Sequence, residues 1–512
     1  MILTFLMLTP MVGALALGVV PRTNERLAKI VAATFSLATL AGALAMLTRY
    51  DLGEGGYQLV EKHLWVKSFG VYYALGVDGI GLTLILLTTV LTPIVLLAAW
   101  DDLLPDGQRF HGYLAWMLVL EGLAIGVFSA MDAALFYALF EATLIPIFFL
   151  IGTYGTGPRT YAAVKFLIYN LVGGLLMLAS VIGLYFLSSQ SGDASFLISD
   201  LTGLEIGADA EKLLFLGFMA AFAIKAPLFP FHTWLPDAAA SATPSTAVLM
   251  VSVIDKVGTF GMLRWGLGLF PGAAEWATPV VVTLAVISVV YGALLAIGQD
   301  DLRRLIAFTS VSHFGFIILG VFAATSTSTA GATFYMFNHG LSTAALFLIA
   351  GILIARRGSA SIADFGGVQK VAPVLTGLFL IAGLSSLSLP GLAPFVSEFM
   401  VMAGTYTRYP VAAVVSVAAI VLAALYILVM FQRTMTGPLR EDNANIRDLN
   451  PLEMASLAPA IVLMVGLGFF PQPLLNVINP AVDATLSRIG VGDPPPQTPQ
   501  FPAAVDQEGG HE

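Results

Sequence analysis

The chain has no cysteine among its 512 residues. That removes thiolate-bound iron–sulfur clusters, disulfides and cysteine nucleophiles from what this polypeptide can contain. Charge is scarce as well: Asp, Glu, Lys and Arg make up 11% of the residues, against roughly a quarter in an ordinary soluble domain. The formal net charge is −9 and no basic patch is present to hold nucleic acid. There is no P-loop, no dinucleotide fingerprint after a strand and no metal-ligand cluster, so the chain is expected neither to hydrolyse ATP nor to carry electrons. The ten-residue alternation of a membrane barrel is missing too. The first apolar run, MILTFLMLTPMVGALALGVV, lacks a basic leader and is long enough to span, so it reads as a retained helix rather than a cleaved signal.

What is there is apolar: 58% of the residues are hydrophobic, too many for the polar surface to cover in water. Apolar runs of about 17–25 residues, enough to cross about 30 Å of hydrocarbon as a helix, occur about fourteen times, beginning near Ile2, Leu27, Ile80, Tyr113, Ala133, Val164, Leu213, Thr243, Thr278, Leu305, Ala332, Val371, Ala412 and Met454. The expectation is an all-α polytopic membrane protein forming one membrane domain over residues 1–512, with 476–512 as an irregular, partly proline-rich tail. The odd-numbered loops carry about 14 Lys and Arg and the even-numbered loops about 7, which puts the odd loops in the cytoplasm and both termini outside. Of the 23 basic residues, that count leaves Lys225 and Lys256 inside spans.

Two spans are interrupted. FAIKAPLFPFHTWLPD (222–237) breaks the seventh with three prolines, and LSLPGLAPFVSEF (387–399) breaks the twelfth with Pro390, Gly391 and Pro394. Unwound backbone is tolerated at membrane depth only where it lines protein or water, and broken spans at corresponding places in two halves point to a transport site. Their odd offset of about five spans is what an inverted repeat gives.

A charge at mid-bilayer costs about 2.5–3.5 kcal/mol on insertion scales, so each one is a functional candidate. The set is Glu121, Glu141, Lys225, Asp255, Lys256 and Glu398, with His232, His313 and His339 as titratable neighbours. Glu141 is the simplest partner for Lys225, and a pair that can be pulled apart is a proton switch; a static pair fixing helix packing is the plainer alternative. Asp255 and Lys256 are adjacent, so they point about 100° apart on a helix and each is free to take another partner. Glu398 stands at the start of the resumed half-helix, where helix-end dipoles favour a carboxylate. His313 and His339 lie on consecutive spans and suit a proton relay; paired haem ligation would leave the acid and lysine series unexplained.

The runs KAPLFPFHTWLPDAAASATPSTAVLM, IAFTSVSHFGFIILG, FYMFNHGLSTAALFLIAG and GLSSLSLPGLAPFVSEF, with the Glu141 span, resemble the antiporter-like subunits of respiratory complex I, the proton-pumping NADH:quinone oxidoreductase. The similarity covers nearly the whole chain. An acid, Glu398, where the L and N types carry lysine resembles the M type. The resemblance implies inverted five-helix repeats over 112–266 and 273–432, broken near 227–230 and 390–394. It implies that Glu141 and Lys225 form the ion pair of an input half-channel, that Lys256 is the central relay and Glu398 the output site, and that His232, His313 and His339 lie on a hydrated axis. Asp132 is a weaker candidate. It further implies L-type and N-type partner subunits and lipid, flavin, iron–sulfur clusters and quinone in partner subunits rather than here, and a bacterial inner membrane. Related large subunits of cation/proton antiporters and membrane-bound hydrogenases share the lysines and broken helices, and a pure membrane scaffold would share the buried charges.

Overall fold

A chain of Leu, Ile, Val, Ala and Phe that must leave water has to bond its own backbone internally, and helices do so within one segment. The computed structural model, which describes residues 1–102, 104–190, 192 and 194–495, is accordingly dominated by helix. Its elements are α1 (Ile2–Val19), α2 (Glu25–Leu47), β1 (Gln58–Val66), β2 (Val71–Val77), α3 (Gly79–Ala98), α4 (Phe110–Ser129), α5 (Ala133–Tyr154), α6 (Arg159–Gln190), α7 (Ala208–Lys225), α8 (Trp234–Ser241) and α9 (Pro244–Leu267). They continue with α10 (Pro271–Ile297), α11 (Leu302–Ala323), α12 (Ser326–Arg357), α13 (Pro373–Ser386), α14 (Ala393–Tyr406), α15 (Pro410–Met435), α16 (Pro451–Phe469) and α17 (Gln472–Arg488). Among the described residues, twelve helices are long and apolar enough to cross a membrane. The pairs α7/α8 and α13/α14 fall outside that count: each is divided where proline interrupts the sequence, which leaves α8, α13 and α14 short, and α7, 18 residues long, carries Asp209, Glu211, Lys212 and Lys225.

The helices sort by polarity. α9 and α11 are wholly enclosed, and α12 nearly so, while α2, α15 and α16 keep most of their surface outward. The enclosed helices are the ones that carry Lys256, His313 and His339. Two π-helical turns, Leu249–Ile254 and Met262–Leu267, interrupt α9 on either side of its lysine. Glycine sets the closest approach here: a Cβ on Gly258 would lie 2.6 Å from Ala226 N and 2.7 Å from Phe222 O, so only glycine lets α9 touch the end of α7.

Two features depart from what the sequence suggests. Residues 58–77 form an antiparallel hairpin, with Glu61 opposite Leu75 and Leu64 opposite Tyr72. It is pinned to the bundle: Glu61 accepts from Leu3 N (2.8 Å), Thr4 N (3.2 Å) and Thr4 Oγ1 (2.5 Å), and Met131 N donates to Ala74 O (2.9 Å). Where 476–512 reads as an irregular tail, α17 instead runs to Arg488 and packs against the start of α3, with Val477 O beside Gly79. Its apolar residues Leu474, Val477, Ile478, Ala481 and Val482 repeat at helical spacing and are buried. The proline-rich end, 496–512, lies outside the described residues.

Candidate functional site

The first break must rehouse the backbone groups it frees. Leu228 N turns back to Ala223 O (3.0 Å), Trp234 Nε1 donates to Ile224 O (3.0 Å), and Phe229 N is taken by Ser288 Oγ (2.7 Å). Lys225 is thereby left at the end of α7 with its side chain fully buried. Its ammonium donates to Thr143 Oγ1 (3.2 Å) and lies over the rings of Phe140 (4.9 Å) and Phe166 (6.0 Å). Glu141 is held otherwise: it is half-buried, it leans on α6 at Gly174, and its Oε1 has no hydrogen-bond partner. The two charges act on one another through space, but the direct hydrogen-bonded ion pair expected from the sequence is not formed here. Glu141 and Thr143 are two positions apart on a helix, hence about 200° apart around it, and Lys225 faces the threonine.

On α9, Asp255 is buried, neither carboxylate oxygen has a hydrogen-bond partner, and both Lys225 and Lys256 lie within its electrostatic reach. Lys256 donates to Val251 O (2.8 Å), within the first π-helical stretch, and shares a 2.7 Å contact with His339 Nδ1. The other imidazole nitrogen, Nε2, is 3.1 Å from Thr343 Oγ1. With both nitrogens engaged, His339 has none left for a haem iron.

From His339 the line continues along α12 and α11. The His313 ring sits edge-on to His339 with centroids 5.2 Å apart, and 5.9 Å from the Tyr335 ring. The Tyr335 hydroxyl donates to Glu398 Oε2 (2.8 Å), which also accepts from Ser388 Oγ. Ser388 belongs to the second break, in a left-handed conformation at φ 59°, and Asn338 Nδ2 holds the resumed helix by Ala393 O (3.0 Å). The second break thus delivers a hydroxyl to the carboxylate of α14.

Other candidates lie elsewhere. His232 is buried in an aromatic pocket, ring centroids 5.9 Å from Phe229 and 5.4 Å from Tyr291, apart from the Lys256 cluster. Asp132 is spent on backbone: it caps α5 at Ala134 N and Leu135 N and accepts from Tyr72 N. Glu121 lies between α4 and α2, one oxygen 3.3 Å from Ser36 Oγ and the other without a partner. Arg264, assigned to a loop by the sequence count, is a buried residue of α9 paired with Asp78. Asp237, in the resumed half-helix α8, binds Lys165 (2.7 Å) and Arg304 (2.6 Å) and ties it to α6 and α11.

Tyr335, Thr343 and Ser388 were not singled out from the sequence. A signal existed for two of them: Tyr335, His339 and Thr343 are spaced i, i+4, i+8 and so share one stripe of α12. Together these groups form a buried series of lysine, imidazole, phenol and carboxylate, with direct contacts at Lys256–His339 and Tyr335–Glu398. Such groups, within hydrogen-bond reach, are what proton transfer requires. Among the described residues, no three His, Asp or Glu side chains gather to hold a metal.

Comparison with known proteins establishes the family. The family model described as NADH:quinone oxidoreductase/Mrp antiporter, TM, matches residues 130–423. NADH-quinone oxidoreductase subunit M of Mycobacterium tuberculosis H37Rv is 50% identical over 99% of both chains, and its namesake in Rhodobacter capsulatus is 36% identical over 94% of this chain and 95% of that one. In the structure of respiratory complex I from Thermus thermophilus with bound NADH, a chain 30% identical superposes with a TM-score of 0.87, covering 95% of this chain and 100% of that one. A chain of the Mrp complex from Dietzia sp., 22% identical, shares the fold, with a TM-score of 0.81 over 94% of this chain and 52% of its own. The chain therefore belongs to the NADH:quinone oxidoreductase/Mrp antiporter transmembrane family, on the branch of NADH-quinone oxidoreductase subunit M.

Proposed function

We propose that the chain is the M-type membrane-arm subunit of a bacterial NADH:quinone oxidoreductase and that it moves protons along Glu141, Lys225, Asp255, Lys256, His339, His313, Tyr335 and Glu398. The observation that carries this reading is the buried series from Lys256 to Glu398, bonded directly at both ends. A proton on the Lys256 ammonium has His339 Nδ1 as an acceptor 2.7 Å away. His313 faces both His339 and Tyr335, and the Tyr335 hydroxyl already points at Glu398. Water bridges the intervals that side chains do not span.

Asp255 extends the line backward, because an unpaired buried carboxylate between two lysines is stabilised by whichever of them holds a proton. Glu141 is the trigger. A half-buried carboxylate at mid-membrane cannot be left facing lipid, so a neighbouring subunit of the L or N type covers it and lipid fills the remaining perimeter. A change in charge at that interface alters the field at Lys225, and the displaced proton leaves through Glu398. His232 stands beside the line and shapes the first break.

Each charge moved against the membrane potential costs about 2.3 kcal/mol per 100 mV. That energy comes from quinone reduction in partner subunits, which hold the flavin, iron–sulfur clusters and quinone. The arginine-rich ends of the helices face the cytoplasm of the bacterial plasma membrane and both termini face outward. Residues 112–266 and 273–432 act as two inverted halves, each with its own broken helix.

The test is NADH-driven proton uptake by inverted membrane vesicles with Glu141→Gln, after native gels confirm assembly. Loss of uptake together with coupled quinone reduction is expected. Wild-type uptake in an assembled variant would overturn the pathway and leave the buried charges a structural role.

A further inference from the structure

Lys256 and His339 lie deep in the bundle, and a proton reaching them from the arginine-rich end has to pass the inner halves of α9 and α12. Those halves do not close on each other. A cavity of about 100 Å³ lies where the C-terminal ends of α3 and α12 meet the N-terminal ends of α9 and α16, and Asp102, Ser245, Leu348, Gly351, Arg356 and Glu453 are among its lining. A water needs roughly 10–15 Å³ measured this way, so the space holds several. Polar partners decide whether such a space is wet, and this one has them. Arg356 and Glu453 form an ion pair at 2.5 Å on its rim. Asp102 Oδ2 accepts from the Tyr113 hydroxyl (3.2 Å), which bonds Thr243 Oγ1 (2.6 Å), which in turn donates to Thr246 Oγ1 (2.8 Å).

Beyond the cavity the polar groups continue inward. Ser252 lies seven residues past Ser245 along α9, inside the first π-helical turn, and its hydroxyl is buried without a partner. Its carbonyl packs on Gly340 of α12, where a Cβ would come within 3.1 Å. Thr343, one turn from Gly340, bonds His339. From Leu348 on the cavity wall to Thr343 is five residues, about 7.5 Å along the helix, a distance that a chain of two or three waters would span. Gly351 fixes the width of the cavity, since a Cβ there would meet Pro244 Cγ at 2.3 Å.

We propose that this cavity is the proton-uptake vestibule for Lys256, delivering protons past Ser252 and Thr343 to His339, with Asp102 on its wall backed by the Tyr113–Thr243–Thr246 chain. The inference rests on the pathway reading above, and it gives Lys256 a second source of protons beside the Glu141–Lys225 break.

The chain's lack of cysteine supplies the experiment. Ser245→Cys and Ser456→Cys place single thiols on opposite walls, both at buried serines. Inverted vesicles, with the arginine-rich face outward, are treated with a charged, membrane-impermeant methanethiosulfonate during NADH oxidation. Modification of either thiol is expected, with proton uptake falling at least about tenfold, the scale of losing a positioned proton-transfer step. NADH oxidation by a soluble acceptor should not change. Ala345→Cys, on α12 but outside the cavity, should resist the reagent. The vestibule is refuted if neither serine position reacts, or if both react and pumping is unaffected. Two substituted positions cover the case in which one variant fails to assemble. Lys256→Ala separates the layers: if it pumps normally in an assembled complex the pathway itself is wrong, whereas if it abolishes pumping while modified thiols are harmless only the vestibule is wrong.

Discussion

The pair most exposed to a quantitative test is Asp78–Arg264. The Asp78 carboxylate and the Arg264 guanidinium meet at 2.5 Å with side chains 3% and 4% exposed. Asp78 also caps α3 by accepting from Gly81 N (2.9 Å), and the guanidinium lies 4.6 Å from the centre of the Tyr57 ring. Asp78→Asn keeps a good cap, because asparagine caps about as well as aspartate, yet it strands a buried cation. Removing one partner of a buried pair costs about 3–5 kcal/mol, a factor on the order of 10²–10³ or more in the folded population. Replacing both partners with uncharged groups of similar volume is close to neutral, so Asp78→Asn with Arg264→Met should recover most of the loss. Because a solubilised membrane complex unfolds irreversibly, the quantity to compare is the half-life of the assembled complex at a fixed elevated temperature. Wild type and the double variant should be similar, and the single variant much shorter-lived. If the double variant decays as fast as the single one, a stranded charge is not the source of the instability and the pair is not what joins α3 to α9.

Two further outcomes follow from the geometry. Tyr335→Phe keeps the ring and deletes the hydroxyl that donates to Glu398; proton uptake should fall by about tenfold or more while the complex assembles normally, as pumping per NADH on matched vesicles will show. The Glu61 carboxyl, which burial pushes up, is held below its usual value because the Thr4 hydroxyl, the Met1 ammonium (3.0 Å) and the Leu3 and Thr4 amides outweigh burial. Its contribution to holding the hairpin is complete above the unfolded carboxyl value of about 4.3 and is lost as pH falls through the lower folded value; the protection of the Leu3 and Thr4 amides, relative to their intrinsic exchange rate at each pH, should fall on acidification in wild type and be low throughout in Glu61→Ala.

The sequence displayed the charges and the breaks because both are expensive in hydrocarbon, and an expensive residue stands out against Leu and Ala. Lys256, His339 and Glu398 were legible on that ground, and the structure gathers them. Tyr335, Thr343 and Ser388 were not, since hydroxyl residues are cheap in membrane helices when they bond their own backbone, and only the fold shows which ones turn to a partner. Arg264 was misread because the apolar run around it ends nearby, and a loop arginine and a buried terminal one look alike until Asp78 is placed opposite. The hairpin hid in a polar stretch whose alternation, QLVEKHLWV against VYYALGV, is short. The Glu141–Lys225 contact failed for a rotational reason: which of two residues on a helix faces a lysine is decided by neighbouring helices.

The π-helical turns of α9 carry one more implication. Each holds an extra residue per turn, so returning one to ordinary α-helix would rotate the following segment by about 100°. Lys256 begins the short stretch between them, Lys256–Gly261, while Asp78 fixes the far end of the helix through Arg264 and the Tyr113–Thr243 contact fixes the near one. If one turn tightens as the other loosens, the stretch revolves like a shaft between two bearings, with both ends of the helix stationary. The lysine can then sweep between Asp255's surroundings and His339 while the outer wall of the protein stays still, and neighbouring subunits packed against that wall would register nothing.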